Sequence, residues 1–185
     1  MSLMYRALSD AGLLDEVRLF GFDSFQGYPQ EAVDEPNVYM PGDNRAEMHV
    51  AKRVLTKRGI DWQRVRLIKG WFSETLTPPM AEREAIRRVS LVNFDGDLYL
   101  STAQALVFVA PLLKDEAIFF MDDWGDDEEL INQKRALAEF LEAHPDIHAR
   151  EIPNYSWESR VFRITREKGT WVPWQARMKL IGSIA

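Results

Sequence analysis

Two groups of aspartates, Asp95-Gly96-Asp97 and Asp122-Asp123, each stand at the end of a short apolar run. Val89-Ser90-Leu91-Val92-Asn93-Phe94 leads into the first, and Glu116-Ala117-Ile118-Phe119-Phe120-Met121 into the second. Carboxylates gathered at one place repel one another unless a cation lies among them or some keep their protons. An oxygen-only ligand set suits Mg²⁺, Mn²⁺ or Ca²⁺ rather than zinc. A structural explanation competes: Asp after a strand also starts turns and caps helices. The run from Asp126 to Glu129 is read that way, as a helix cap and an acidic first turn favoured by the helix dipole.

Convergence requires particular elements. Short apolar runs of this kind read as buried parallel strands. The segment Ser101 to Leu113 between them has the length and periodicity of a crossover helix. Two neighbouring parallel strands would place both acidic groups at one sheet edge, where open α/β sheets bind ligands. Upstream, a helix over Ser2 to Ala11 ends at Gly12, and a strand over Val17 to Phe22 closes on Asp23-Ser24. A long loop from Phe25 to about Asn44 follows, and its length marks it as a lid or binding loop. Next come a helix over Arg45 to Lys57 stopped by Gly59 and a short strand over Val65 to Ile68 leading to Gly70-Trp71-Phe72. Pro78-Pro79 reads as a break before a short helix over Ala81 to Arg88. A helix over Asp127 to Ala143 and a strand pair, Ile147 to Ile152 and Arg160 to Thr165, complete the pattern. The alternation predicts a doubly wound α/β sheet with an antiparallel edge at its C-terminal end. The expected organisation is one α/β domain over 1–166 and a tail over 167–185.

The chain has 185 residues, enough for one domain with a real core. Its 23 basic and 29 acidic residues give a net charge of −6 without a basic run, which argues against nucleic acid as partner. There are no cysteines, so disulfides and thiolate metal sites are excluded. The three histidines, at 49, 144 and 148, do not form a zinc motif. No membrane-spanning stretch or signal peptide is visible, and the expected location is cytoplasmic. Six tryptophans and an apolar tail favour a homodimer.

Four segments in order resemble the macrocin O-methyltransferase family. They are Phe22-Asp23-Ser24-Phe25-Gln26-Gly27-Tyr28-Pro29, Gly70-Trp71-Phe72-Ser73-Glu74-Thr75-Leu76, Asp95-Gly96-Asp97-Leu98-Tyr99-Leu100-Ser101-Thr102, and Met121-Asp122-Asp123-Trp124-Gly125. The resemblance implies a Rossmann-like methyltransferase sheet, S-adenosylmethionine, a divalent metal (Mg²⁺ or Mn²⁺), and methyl transfer to a hydroxyl of a sugar or related natural product. It implies that Asp23, with Ser24 beside it, holds the cofactor's ribose hydroxyls, and that Gly70, Trp71 and Phe72 flank the adenine. It assigns the metal to Asp95, Asp122 and Asp123, and leaves Asp97 as a supporting group or a base. A metal belongs in such chemistry because it binds the hydroxyl, lowers its pKa and orients it. The distantly similar catechol O-methyltransferases carry a lysine base three residues after their first aspartate. Leu98 stands there, so His49, on or near the loop, becomes the substitute base candidate.

The resemblance also implies a first strand and glycine-rich loop ahead of Ser2, and the chain shows neither. Three explanations compete. The chain is a fragment or shortened gene product, the favoured one; or the sheet has closed up; or a segment such as Trp171 to Ile184, or a partner chain, fills the gap. Two other functions also compete. Asp95-Gly96-Asp97 matches the Asp-x-Asp motif of metal-dependent glycosyltransferases, and a non-catalytic methyltransferase remnant would keep the fold as an interaction module.

Overall fold

The computed structural model describes residues 1–30, 40–124, 132–153 and 159–171. These residues fall into two compact units, divided between Thr75 and Leu76. Within them no helix is long and apolar enough to cross a membrane.

The first unit contains α1 (Ser2–Asp10), β1 (Leu19–Asp23), α2 (Met48–Lys57), β2 (Val65–Lys69) and the single turn α3 (Phe72–Thr75). Both longer helices stop as their glycines predict. Gly12 (φ +70°) donates to the Ser9 carbonyl and Leu13 to the Leu8 carbonyl, the paired bonds of a Schellman cap. Gly59 (φ +81°) and Ile60 repeat that arrangement on Thr56 and Leu55. α2 begins at Met48 rather than Arg45. β1 and β2 pair in parallel, Leu19 opposite Val65 and Asp23 opposite Lys69. Leu19, Ile60 and Val65 are buried together, with Met4, Tyr5 and Leu8 of α1 and Leu55 of α2 packed against them.

The second unit holds α4 (Pro78–Arg83), β3 (Leu91–Phe94), α5 (Tyr99–Val109), β4 (Glu116–Met121), α6 (Asn132–Ala143), β5 (Ile147–Ile152) and β6 (Arg160–Arg166). Pro78-Pro79 does not break the chain but opens α4. Proline is tolerated in a first turn, whose N–H groups have no helical acceptor. The sheet order is β3-β4-β6-β5. β3 and β4 run parallel, Phe94 opposite Met121, as the apolar runs predicted. The last two strands form the expected antiparallel edge: β6 pairs antiparallel with β4 on one side and with the outermost β5 on the other. Ala117, Phe119 and Met121 alternate into the core, where the Phe119 ring meets Phe94 edge-on at 5.0 Å. α5 buries Leu106, Phe108 and Val109, and a short 3₁₀ turn, Ala110–Leu112, carries the chain on toward β4.

Among the described residues, β1 pairs only with β2 and β3 only with β4. The central part of the expected lid, the residues predicted to cap α6, and tail residues 172–185 lie outside the described residues.

Candidate functional site

In the second unit the parallel pairing of β3 and β4 brings the two acidic loops to one edge. The ladder continues one step past the strands, with Asp122 N–H donating to the Phe94 carbonyl at 3.0 Å. Asp95 and Asp122 are exposed, while Asp97 and Asp123 are half-buried. Burial pushes the Asp123 carboxyl up from the ordinary 3.8 to about 7, reinforced by the charges of Asp97 and Asp95, a side-chain hydrogen bond with Asp97, and the charge of Asp122. The other three predicted aspartates therefore all act on Asp123, and Asp97 lies within hydrogen-bond reach of it. The donor chemistry suits a hard divalent cation. The spacing is not that of a ready-made cage: no three described His, Asp or Glu side chains gather as ligands about one point.

Two side chains that sequence reasoning missed hold these loops. Asn132 Nδ2 donates to the Asp97 carbonyl at 3.0 Å. Gln133 Nε2 donates to the Phe94 carbonyl at 3.0 Å and approaches Asp123 Oδ2 at 3.4 Å, while Gln133 Oε1 accepts the Asp123 N–H at 3.2 Å. A signal for Gln133 existed. It shares the buried stripe of α6 with Ala136, Leu137 and Phe140, and an amide on such a stripe needs polar partners. Across α6, Tyr99 hydrogen-bonds Glu139, whose other oxygen accepts from Arg135 Nε at 2.9 Å. Ser101 and Thr102 lie in the early turns of α5, where the buried Thr102 hydroxyl reaches the Gly96 carbonyl at 3.4 Å.

In the first unit the predicted cofactor residues meet at the carboxyl ends of β1 and β2. Gly70 N–H donates to the Asp23 carbonyl at 3.0 Å. Asp23 Oδ1 accepts the Phe25 N–H at 2.6 Å, and Ser24 Oγ accepts the Gln26 N–H at 3.0 Å while donating to the Gly27 carbonyl at 3.1 Å. These bonds hold the buried Phe25 at φ +54°, a conformation that non-glycine residues seldom adopt. Gly27 (φ +80°) allows the two ends of the loop to touch: a Cβ there would lie 2.2 Å from the Asp43 carbonyl oxygen. Tyr28 and residues 42–43 then exchange backbone bonds of 2.9 and 3.0 Å. Trp71 and Phe72 are half-buried, and the Trp71 carbonyl accepts from Thr75 N–H and Thr75 Oγ1. His49 lies in the first turn of α2, exposed, in the first unit.

The family model described as Macrocin-O-methyltransferase (TylF) matches residues 1–159. The chain belongs to the macrocin O-methyltransferase family. A Streptomyces olivaceus relative, 8-demethyl-8-(2,3-dimethoxy-alpha-L-rhamnosyl)-tetracenomycin-C 4'-O-methyltransferase, is 31% identical over 60% of this chain and 43% of its own length. Mycinamicin III 3''-O-methyltransferase of Micromonospora griseorubida is 29% identical over 55% of this chain and 42% of its own. The chain thus matches less than half the length of these relatives. Among solved structures, the O-methyltransferase NovP superposes with a TM-score of 0.70 at 23% identity, over 89% of this chain and 66% of that one. That likeness shows a methyltransferase fold. Family and fold together displace the glycosyltransferase reading of Asp95-Gly96-Asp97.

Proposed function

We propose that this chain carries the cofactor-ribose and acceptor ends of an S-adenosylmethionine-dependent O-methyltransferase. Its acceptor is a hydroxyl on the sugar of a natural product, and it works with Mg²⁺ or Mn²⁺. The observation that carries this is the convergence of Asp95, Asp97, Asp122 and Asp123 beyond two adjacent parallel strands, in a chain of this family. One relative is named for 4'-O-methylation of a rhamnosyl tetracenomycin and the other for 3''-O-methylation of mycinamicin III, which supports the acceptor class.

The cofactor supplies an electrophilic methyl group on a sulfonium. What the chain must do is hold the acceptor oxygen in line with that methyl group and take up the hydroxyl proton. Asp23 and Ser24 sit at a strand end suited to ribose hydroxyls, and Gly70, Trp71 and Phe72 offer backbone and flat apolar surface for adenine. Asp97 is the favoured base, because it already exchanges a hydrogen bond with Asp123. His49 is the second candidate. Asp95, Asp122 and Asp123 would hold the divalent cation, whose charge would favour loss of the Asp123 proton and lower the hydroxyl pKa.

Calorimetry with S-adenosylhomocysteine, with and without Mg²⁺, tests the proposal on the 185-residue chain. Mg²⁺ binding accompanied by proton release, together with binding of S-adenosylhomocysteine, is the expected result. Failure of a folded sample to bind either would favour the non-catalytic remnant.

A further inference from the structure

We propose that Gln133 is a positioning residue for the acidic cluster: its buried carboxamide ties the carboxyl end of β3 to the loop after β4 and sets the direction of the Asp123 carboxyl group. The proposal rests on the reading of that cluster as the acceptor end of a methyltransferase site. Gln133 is 0% exposed, and Leu137 on the same face is 3% exposed. A residue there solely to fill space would be apolar, because burying an amide is costly unless its groups are matched. Here they are matched in only one orientation. The Phe94 carbonyl can only accept and the Asp123 N–H can only donate, so Nε2 must face the first and Oε1 the second. The Phe94 carbonyl thereby receives two bonds, from Gln133 and from Asp122 N–H at 3.0 Å. One side chain thus joins the strand leading to Asp95 with the backbone that carries Asp122 and Asp123. Asn132, its neighbour, holds the Asp97 carbonyl in the same way. Adjacent residues of one helix therefore fix both loops.

The test is NMR on the full chain with ¹³C-labelled aspartate and ¹⁵N-labelled glutamine, assigned through Asp123→Asn and Gln133→Met. In the wild type, the Gln133 side-chain amide should exchange slowly with solvent. Gln133→Met keeps the volume and removes the bonds, and it should shift the Asp123 carboxyl resonance. Leu137→Val, which trims the same face, should leave that resonance in place. Gln133→Glu, which turns the donor into an acceptor, should also shift it and should weaken Mn²⁺ binding about tenfold by calorimetry. A fast-exchanging Gln133 amide in the wild type overturns the proposal whether or not the variants fold. So does an Asp123 resonance that responds equally to Gln133→Met and Leu137→Val. Wild-type chain that binds neither Mn²⁺ nor S-adenosylhomocysteine would instead sink the methyltransferase reading and leave the NMR result to judge the tether.

Discussion

Asp23 and Asp123 each mark the end of a strand, yet their surroundings treat them in opposite ways. Asp23 Oδ1 is engaged by its own turn through the Phe25 N–H at 2.6 Å, and the next residue, Ser24, closes the same turn. Asp123 meets other carboxylates, loses part of its hydration, and retains a proton to near neutrality. An acid engaged by local backbone donors shapes a loop. An acid facing like charges carries unspent electrostatic energy that a cation or a substrate proton can relieve. The difference lies in what each side chain meets, since both follow an apolar strand.

The largest effect that would sharpen this contrast is on catalysis. Asp122→Asn combined with Asp123→Asn should cut Mg²⁺-dependent methyl transfer at least about a hundredfold, roughly 2.7 kcal/mol of barrier, with an unchanged circular dichroism spectrum. Retained activity would break the metal assignment. On the other side of the comparison, Gly27→Ala should destabilise the Asp23 turn by about 2–3 kcal/mol, because a Cβ meets backbone in a left-handed conformation. Urea unfolding measures it, and an unchanged midpoint would show that the loop ends do not meet as described.

Asp23→Asn separates turn from ligand. The amide oxygen can still accept from Phe25 N–H, so stability should change by less than about 0.5 kcal/mol. Affinity for S-adenosylhomocysteine should fall about tenfold, roughly 1.4 kcal/mol, if Asp23 also holds the ribose. Equal affinity would confine Asp23 to its structural task.

A separate effect is the pH dependence of stability. The Asp123 pKa is raised on folding from 3.8 to about 7, so the folded chain binds more protons than the unfolded one between those values. Its contribution must therefore turn against the folded state as pH rises from about 4 to about 7. Thermal melts across this range should show a shallower fall in Asp123→Asn than in the wild type. Mg²⁺ should offset the wild-type loss at pH 7.5. Identical pH profiles for the two proteins would remove the electrostatic half of the comparison.

Much of the secondary structure of this fold was legible from pattern. β4 begins and ends where its apolar run does, and the glycines at 12 and 59 stop their helices because only a left-handed residue completes the cap. Element starts were less legible. α2 opens three residues later than expected, and Pro78-Pro79 opens a helix instead of interrupting one, because local composition does not say which backbone donors will find acceptors. The antiparallel edge formed as expected, but which of its two strands lies outermost, β5, was decided by the pairing of β6 with β4, distant in sequence.

The sequence by itself determined the four family segments, the parallel strands that end in acids, and the oxygen-only donor set, because apolar period and residue chemistry are local properties. Only the tertiary structure decided which acids act on one another. It showed that Asp123 meets Asp97, Asp95 and Asp122, that Asp23 serves its own turn, and that Gln133 of α6 bonds to both acidic loops. Burial and charge coupling depend on distances across the fold, and residue spacing along the chain does not record them.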